Sequence, residues 1–570
     1  MASGRQTQGR RWSKSREWSR SSRGVIAGAL AAATVMAMAP AAHADAGDDG
    51  PKSRVIVSGA GAAQADSHVK GTHGKVVAQV DAAGAVVADV TPTQAAALKA
   101  DPTVTVTPNV EVHLNDVTPL PGARSPSAVF AQSTGATTLV NNGVNGAGVT
   151  VAVLDTGIDR LPDFNGRLAG GVDLSGEGDP FHDSYGHGTF VSGLIAGNGA
   201  SSAGAVVGEA PGAQLASIKV AGASGVTDLA TVIQGVQWAI DNHSTLGIGV
   251  LNLSLGAIPT QSSTRNPLDQ AVESAWRAGI TVVASAGNAG PSNGTVLSPG
   301  DDPLVVTVGA LDDKGSPTAQ GATIPTFSSI GPTPVDGWFK PDLVAPGRSV
   351  ISLRAPGSAI DRANPGAVIG TANFVGSGTS FSTAITSGAA ALVLQANRRS
   401  GPDDVKGRLL ATASPGPVGN PFVDGHGSLN VAAAATVDKV HFRQQVPQSS
   451  AAPGSDVSLA TTWAGSSWDP QSWKGTKIKG PKHGDDGGAT DNSSDGGGDK
   501  GAATGTPALN GSGWNGSGWN GSGWNGATWN GSGWNGSGWN GSGWNGSGWN
   551  GSGWNGSGWN GSGWNGSGWN

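Results

Sequence analysis

The chain has no cysteine among its 570 residues, so disulfide staples, thiolate metal sites and cysteine redox chemistry are excluded. It also lacks an apolar run long enough to cross a bilayer. The best candidate, Gly24 to Ala39, offers sixteen uncharged, alanine-rich residues, against the roughly 20 that a spanning helix needs. Basic clusters are missing from the body as well. The formal net charge is −6, and the first 44 residues carry +6 of their own, which leaves −12 for the rest. An acidic body of that kind argues against nucleic acid as a partner.

What is present begins with the N-terminus. Arg5, Arg10, Arg11, Lys14, Arg16, Arg20 and Arg23, against Glu17 alone, precede the apolar stretch, and Ala42-His43-Ala44 forms an A-x-A cleavage pattern before Asp45. Residues 1–44 therefore read as a signal peptide rather than a retained anchor. Arg10-Arg11 lies well upstream of the apolar run, which favours the general export route over the twin-arginine one. A secreted, extracellular protein of bacterial type is expected.

Residues 53–115 carry their own pattern. Arg54–Val57 reads as a strand, Ala63–Val69 as a short helix and Lys75–Val90 as two strands about Gly84. Thr91–Lys99 reads as a helix and Val104–Leu114 as a closing strand. That order is ferredoxin-like. Asp116 to Thr134, with Pro119, Pro121, Gly122 and Pro126, has linker composition. Residues 135–435 then alternate continuous apolar runs (Val149–Leu154, Gln214–Val220, Gly249–Leu255, Ile280–Ala286, Leu304–Val308) with helical patterns at Asp228–Asn242 and Pro267–Ala278. The prediction is an α/β fold, a parallel sheet covered by helices on both faces. Residues 436–510 form an extension and a solvated low-complexity linker. From Gly511 to Asn570 GSGWN repeats twelve times, with a slip at Ala527-Thr528. Such a tail is too glycine-rich to order a core and is expected to be disordered. Weak multivalent contact with glycans or cell wall is one expectation for its tryptophans, an inert tail the other.

Three distant segments bear the chemistry: VAVLDTGI around Asp155, GHGTFVSG around His187 and GSGTSFSTA around Ser380. SAGNAG, with Asn288, lies between the last two. A serine hydroxyl is a poor nucleophile at neutral pH. It needs an imidazole to take its proton, a carboxylate to orient that imidazole and donors for the developing oxyanion. Asp155 ends a buried strand, His187 opens a helical stretch, and Ser380 begins an apolar helix whose N-terminus favours negative charge. Ser377 and Ser382 are the rival nucleophiles, and His182 is set aside. Asp183 reads as a solvated loop carboxylate, with a subsite for basic side chains as the alternative.

In these motifs and in their Asp, His, Asn, Ser order, the chain closely resembles the subtilisin-like serine peptidases, or subtilases. The resemblance implies that Asp155, His187 and Ser380 are catalytic, with Asn288 and the Ser380 N–H as oxyanion donors. It also implies a substrate groove at Leu253-Ser254-Leu255-Gly256 and Ala286-Gly287, where a peptide lies antiparallel to the first segment and its side chain enters a pocket between the two. It departs from the family at Phe190, Ser192, Ala257 and Phe381-Ser382-Thr383-Ala384. Residues 45–125 would then be an inhibitory propeptide, with the processing cut in the linker, and residues 135–435 the peptidase. The expected activity is a secreted endopeptidase acting on peptides and proteins, with a narrowly processing peptidase and an inactive wall-binding protein as alternatives. No cofactor is required for the chemistry and no metal-binding residue is assigned. Structural calcium on loops is compatible with the resemblance; Asp163 could supply one ligand, but the loop Asn198 to Val207 lacks the usual pattern.

Overall fold

The computed structural model describes residues 50–114, 128–438 and 440, together with short stretches of the repeat between 524 and 562. The expected signal peptide, the linker expected to be cut and the low-complexity region lie outside the described residues, wholly or in part. Among the described residues no helix is long and apolar enough to cross a membrane.

Seven parallel strands form the centre: β6 (Thr150–Asp155), β7 (Leu168–Asp173), β8 (Gln214–Lys219), β10 (Ile248–Leu253), β12 (Thr281–Ser285), β13 (Val306–Leu311) and β14 (Leu343–Pro346). Their order is β14-β13-β12-β10-β6-β8-β7. Every residue of β6, β12, β13 and β14 is buried, as continuous apolar runs predict for a sheet flanked by helices. From β6 the chain lays down β7 and β8 on one side and then β10, β12, β13 and β14 on the other, so a crevice opens beyond the carboxyl ends of the strands where the direction reverses. Strands β7 and β14 were not anticipated. The first is glycine-containing and half-buried, and the second is too short to show a period.

Local chemistry sets the helix starts. Asp228 accepts the Thr231 N–H at 2.8 Å and begins Leu229–Asp241. Asn266 accepts the Leu268 N–H at 3.0 Å, with Pro267 in the first turn, and begins Pro267–Arg277. The longest helix, Thr379–Ala396, runs against β10, β12, β13 and β14. Two members of the presumed linker, Phe130 and Thr134, are buried, so the body begins earlier than composition indicated.

The N-terminal part is the expected ferredoxin-like unit. Strands β1 (Ser53–Ser58), β2 (Lys75–Val80), β3 (Ala85–Val90) and β4 (Thr105–Pro108) form an antiparallel sheet of order β2-β3-β1-β4. One face buries Val55, Val57, Val86 and Val90 against Val69 and Leu98 of its own helices; Ile56, Val80 and Val87 on the other join the main core. The Asp81–Ala83 turn sits on the body through Ala82, whose N–H donates to Gln237 at 2.6 Å and whose carbonyl accepts the Ser274 hydroxyl at 2.7 Å.

One expectation is corrected here. Val104–Leu114 is not one closing strand. It breaks after Pro108, which has no N–H to donate. Asn109 and Val110 instead cap the Leu229–Asp241 helix, through Asn109 Oδ1 to the Ala230 N–H (2.8 Å) and the Val110 carbonyl to the Leu229 N–H (3.0 Å). The chain then re-pairs as β5 (Glu111–Leu114) with β9 (Val226–Asp228) and β11 (Leu255–Gly256), in a separate sheet of order β11-β5-β9. Within the GSGWN repeat the described pieces are isolated ladders, such as Trp524–Asn525 with Thr528–Trp529.

Glu209 lies in the core beside Gly388, where an added Cβ would stand 2.6 Å from the Glu209 Cβ. Loss of water pushes its carboxyl up to about 8, with Thr134 opposing weakly. The unfolded chain loses this proton first, so stability falls as pH rises from the ordinary carboxyl range toward 8. Glu209→Gln removes that loss. Thermal melts at pH 5 and pH 9 are expected to show the variant gaining on the parent at the alkaline value, on the order of 5 °C.

Candidate active site

Asp155 is the last residue of β6 and is wholly buried. His187 is the first residue of the His187–Ala196 helix and equally buried. Nδ1 of His187 lies 2.8 Å from Asp155 Oδ1 and 2.9 Å from Oδ2. This bond fixes the imidazole tautomer with its proton on Nδ1 and leaves Nε2 as the basic nitrogen. The strand end and the helix start must touch for it to form. A Cβ at Gly188 would stand 2.1 Å from the Gly157 carbonyl oxygen, so only glycine allows the approach.

A second carboxylate secures the same corner, and here the sequence reading of Asp183 is corrected. Asp183 is not solvated; it is buried. Its Oδ1 accepts the Gly186 N–H and the Thr156 hydroxyl, both at 2.7 Å, and its Oδ2 accepts the Thr189 N–H at 2.7 Å. Thr156 Oγ1 in turn accepts the Gly188 N–H at 2.9 Å, while the Thr156 N–H donates to Asp155 at 2.8 Å. Asp183 therefore ties the residue after Asp155 to the turn carrying His187. Burial raises its carboxyl above the usual range even against these bonds. Only the spacing between Asp183 and His187 hinted at this in the sequence. His182, by contrast, is exposed and pairs with Asp159 at 3.6 Å.

Ser380 lies in the first turn of the Thr379–Ala396 helix. Its hydroxyl donates to the Ser254 carbonyl at 3.0 Å, and the Ser254 hydroxyl returns a bond to the Ser380 carbonyl at 2.9 Å. The next residue, Phe381, lies tilted 4.4 Å from Phe190 and 5.8 Å from the His187 ring, centroid to centroid. Two of the departures from the family pattern, Phe190 and Phe381, thus meet beside the imidazole. The rival serines have other partners: Ser382 donates to the Ala345 carbonyl at 2.8 Å, and Ser377 accepts the Ser349 N–H at 2.9 Å.

Asn288 follows β12. Its Oδ1 accepts both the N–H and the hydroxyl of Thr379 at 2.9 Å, which turns the amide NH₂ the other way. A Cβ placed on Gly378 would lie 3.4 Å from Asn288 Nδ2 and 3.8 Å from the Ser380 nitrogen, so both nitrogens border the space beside Gly378. Two donors close to one space are what an oxyanion needs. Thr379, which sets the amide, went unremarked in the sequence.

The two groove segments flank a cavity of about 720 Å³ lined in part by Gly256, Ala257, Asn288, Ala289 and Leu297. Leu297 wedges between them: its side chain is 2.8 Å from an added Cβ at either Gly256 or Gly287. Leu253, Ser254, Leu255 and Ala286 are buried in the walls. Strand β5 of the chain's own N-terminal unit lies antiparallel on Leu255–Gly256, with Leu114 opposite Leu255 and His113 opposite Gly256.

The candidate calcium ligand, Asp163, is buried. Its Oδ2 accepts the N–H (3.0 Å) and hydroxyl of Ser201, and Arg167 lies close enough to interact with its charge. No group of three or more acidic or histidine side chains among the described residues could hold an ion.

Comparison with known proteins points to one family. The subtilase family model matches residues 146–444. The serine protease AprX of Bacillus subtilis is 42% identical over 299 residues, 51% of this chain and 67% of AprX. Subtilisin Savinase of Lederbergia lenta is 37% identical over 294 residues, 52% of this chain and 93% of that protein. Among solved structures, fervidolysin from Fervidobacterium pennivorans superposes with a TM-score of 0.55 at 23% identity. The match covers 70% of this chain and 63% of that one.

Replacing Asp183 with asparagine puts an NH₂ where only acceptors fit. Peptide hydrolysis by Asp183→Asn is expected to lose ~100-fold in kcat, the scale of an ångström-level misplacement, with KM changing far less. Steady-state kinetics on a short peptide amide check this.

Proposed function

We propose, from the premise that this chain belongs to the subtilase family of serine peptidases, that it is a secreted serine endopeptidase made as a self-processing precursor. The observation that carries the reading is the His187–Asp155 pair, 2.8 Å apart, at the carboxyl edge of the sheet. Ser380 immediately precedes Phe381, whose ring centroid lies 5.8 Å from that of His187.

The peptide chain binds as a strand against Leu255–Gly256, the pairing that β5 displays. A substrate N–H presented to the Ser254 carbonyl competes with the Ser380 hydroxyl for that oxygen, and the hydroxyl turns toward His187. Oγ attacks the scissile carbonyl carbon, and its proton passes to His187 Nε2. The new oxyanion receives hydrogen bonds from Asn288 Nδ2 and the Ser380 N–H. Asp155 steadies the imidazolium, which then gives its proton to the departing amine as the C–N bond breaks. Water, deprotonated by the same imidazole, attacks the acyl-enzyme and releases the acid, and the proton returns to Oγ.

The N-terminal unit acts as the propeptide, holding the groove closed with its own strand. Leu114, the last residue of β5, lies opposite Leu255, and the preceding Ser254 carbonyl is the one to which Ser380 donates. The processing cut is therefore expected in the linker that follows Leu114. Mass spectrometry of secreted wild-type protein is expected to find the mature N-terminus between Leu114 and Thr134, with Ser380→Ala remaining joined to its N-terminal unit. An uncut wild type, or a Ser380→Ala protein cut equally well, contradicts the proposal.

A further inference from the structure

The connection that leads into the nucleophile's turn is longer than its pairing requires. Strands Val350–Leu353 and Asn373–Gly376 are antiparallel, with Leu353 opposite Asn373. A hairpin of that kind needs about two to five residues to turn, yet residues 354–372 intervene, and Gly376 then opens the Gly376–Ser380 motif. The first strand is fastened to the His187–Ala196 helix, because the Ser352 hydroxyl donates to the Phe190 carbonyl at 2.6 Å. From the second strand Phe374 meets the Phe190 ring edge-on, 6.5 Å between centroids. No step of the peptidase mechanism uses the residues in between.

Their first part closes on itself as a clip. Asp361, in the Ala359–Ala363 helix, receives Arg354 Nε at 2.5 Å and Nη2 at 2.9 Å, a two-pronged ion pair. The same carboxylate accepts the Gly357 N–H at 2.8 Å, and the Ser358 hydroxyl accepts the Asp361 N–H at 3.3 Å. The helix start then presents N–H groups that no carbonyl of its own can take. The turn before His187 takes two of them. The Ala359 N–H donates to the Ser184 carbonyl at 2.9 Å and the Ile360 N–H to the Tyr185 carbonyl at 3.0 Å. Gly186 comes next, with φ at +107°, and a Cβ there would collide with Ser358 Oγ. Asp183 holds the same turn through the Gly186 N–H.

We propose that Arg354 and Asp361 are positioning residues for peptide hydrolysis: their ion pair keeps residues 357–360 in the shape that fixes the His187 turn relative to Ser380. The inference rests on the peptidase reading above and adds a device outside the proton relay. The excursion leaves a strand fastened to the His187 helix and returns on one that runs into the Ser380 motif, so a single connection spans base and nucleophile. A turn that ends in glycine has little stiffness of its own, and an ångström of drift at a reacting group costs ~100-fold in rate. The Arg354 guanidinium holds the Asp361 carboxyl below its usual range, so the pair stays charged wherever a histidine titrates.

The test is steady-state hydrolysis of a short peptide amide by the secreted, processed protein, with active sites counted by fluorophosphonate titration. A parent that hydrolyses nothing sinks the peptidase reading and the clip together; variants that match an active parent sink the clip alone. Arg354→Ala and Asp361→Asn are each expected to lose ~10-fold in kcat per titrated site, with KM within about twofold of the parent. The double variant is expected to lose no more than the worse single one, because the pair acts as a unit. The acid limb of kcat/KM is expected to move to lower pH, since a displaced imidazolium is held less well by Asp155. Added ethylguanidinium is expected to restore Arg354→Ala, and sodium chloride at equal strength is not. Melts of both variants in a Ser380→Ala background report stability separately. An unchanged kcat or an unmoved acid limb in both variants, however far the melting falls, overturns the proposal, as does failure of both to fold.

Discussion

A buried carboxylate gripping one ring nitrogen of a buried imidazole is the contact to which the surrounding architecture is fitted. Two polar groups at the centre of a protein are costly unless each finds partners. Asp155 is satisfied by His187 Nδ1 and by the Thr156 N–H. The cost is offset by the apolar strands on either side of β6, whose residues are excluded from water almost entirely. Bringing a helix start within bonding distance of a strand end requires Gly188, and keeping it there recruits Thr156 and Asp183. The geometry of this pair is thus set by backbone approach first and by side chains second.

The same economy runs through the oxyanion corner. Thr379 uses its N–H and hydroxyl to fix the Asn288 carbonyl oxygen, and this commits the amide hydrogens to the cleft. Ser254 presents its carbonyl to the Ser380 hydroxyl, one residue before the Leu255 that pairs with Leu114 of β5. In the proposed mechanism this carbonyl couples substrate arrival to release of the nucleophile. The N-terminal unit places β5 on Leu255–Gly256 while the Asp81–Ala83 turn holds it on the body.

Much of this was legible in the sequence because it is local. Continuous apolar runs identified β6, β8, β10 and β12, Asp228 and Pro267 marked helix starts, and the short motifs carried Asp155, His187, Asn288 and Ser380. What escaped notice depends on distant partners. Asp183 looked like a solvated loop residue because nothing in its neighbourhood reveals that Thr156 covers it. Strand β5 looked like the end of one long strand, since its true partners, Leu255–Gly256 and Val226–Asp228, are more than a hundred residues away. Short strands such as β14 have too few residues to show a period.

The central claim is that His187, steered by Asp155, activates Ser380 and no other hydroxyl. Covalent labelling of the mature protein with a fluorophosphonate, followed by peptide mapping, addresses it most directly. The account predicts one adduct, on Ser380, whose formation collapses in a folded His187→Ala variant. An adduct on Ser377 or Ser382, or labelling of Ser380 that proceeds undiminished without His187, would contradict it.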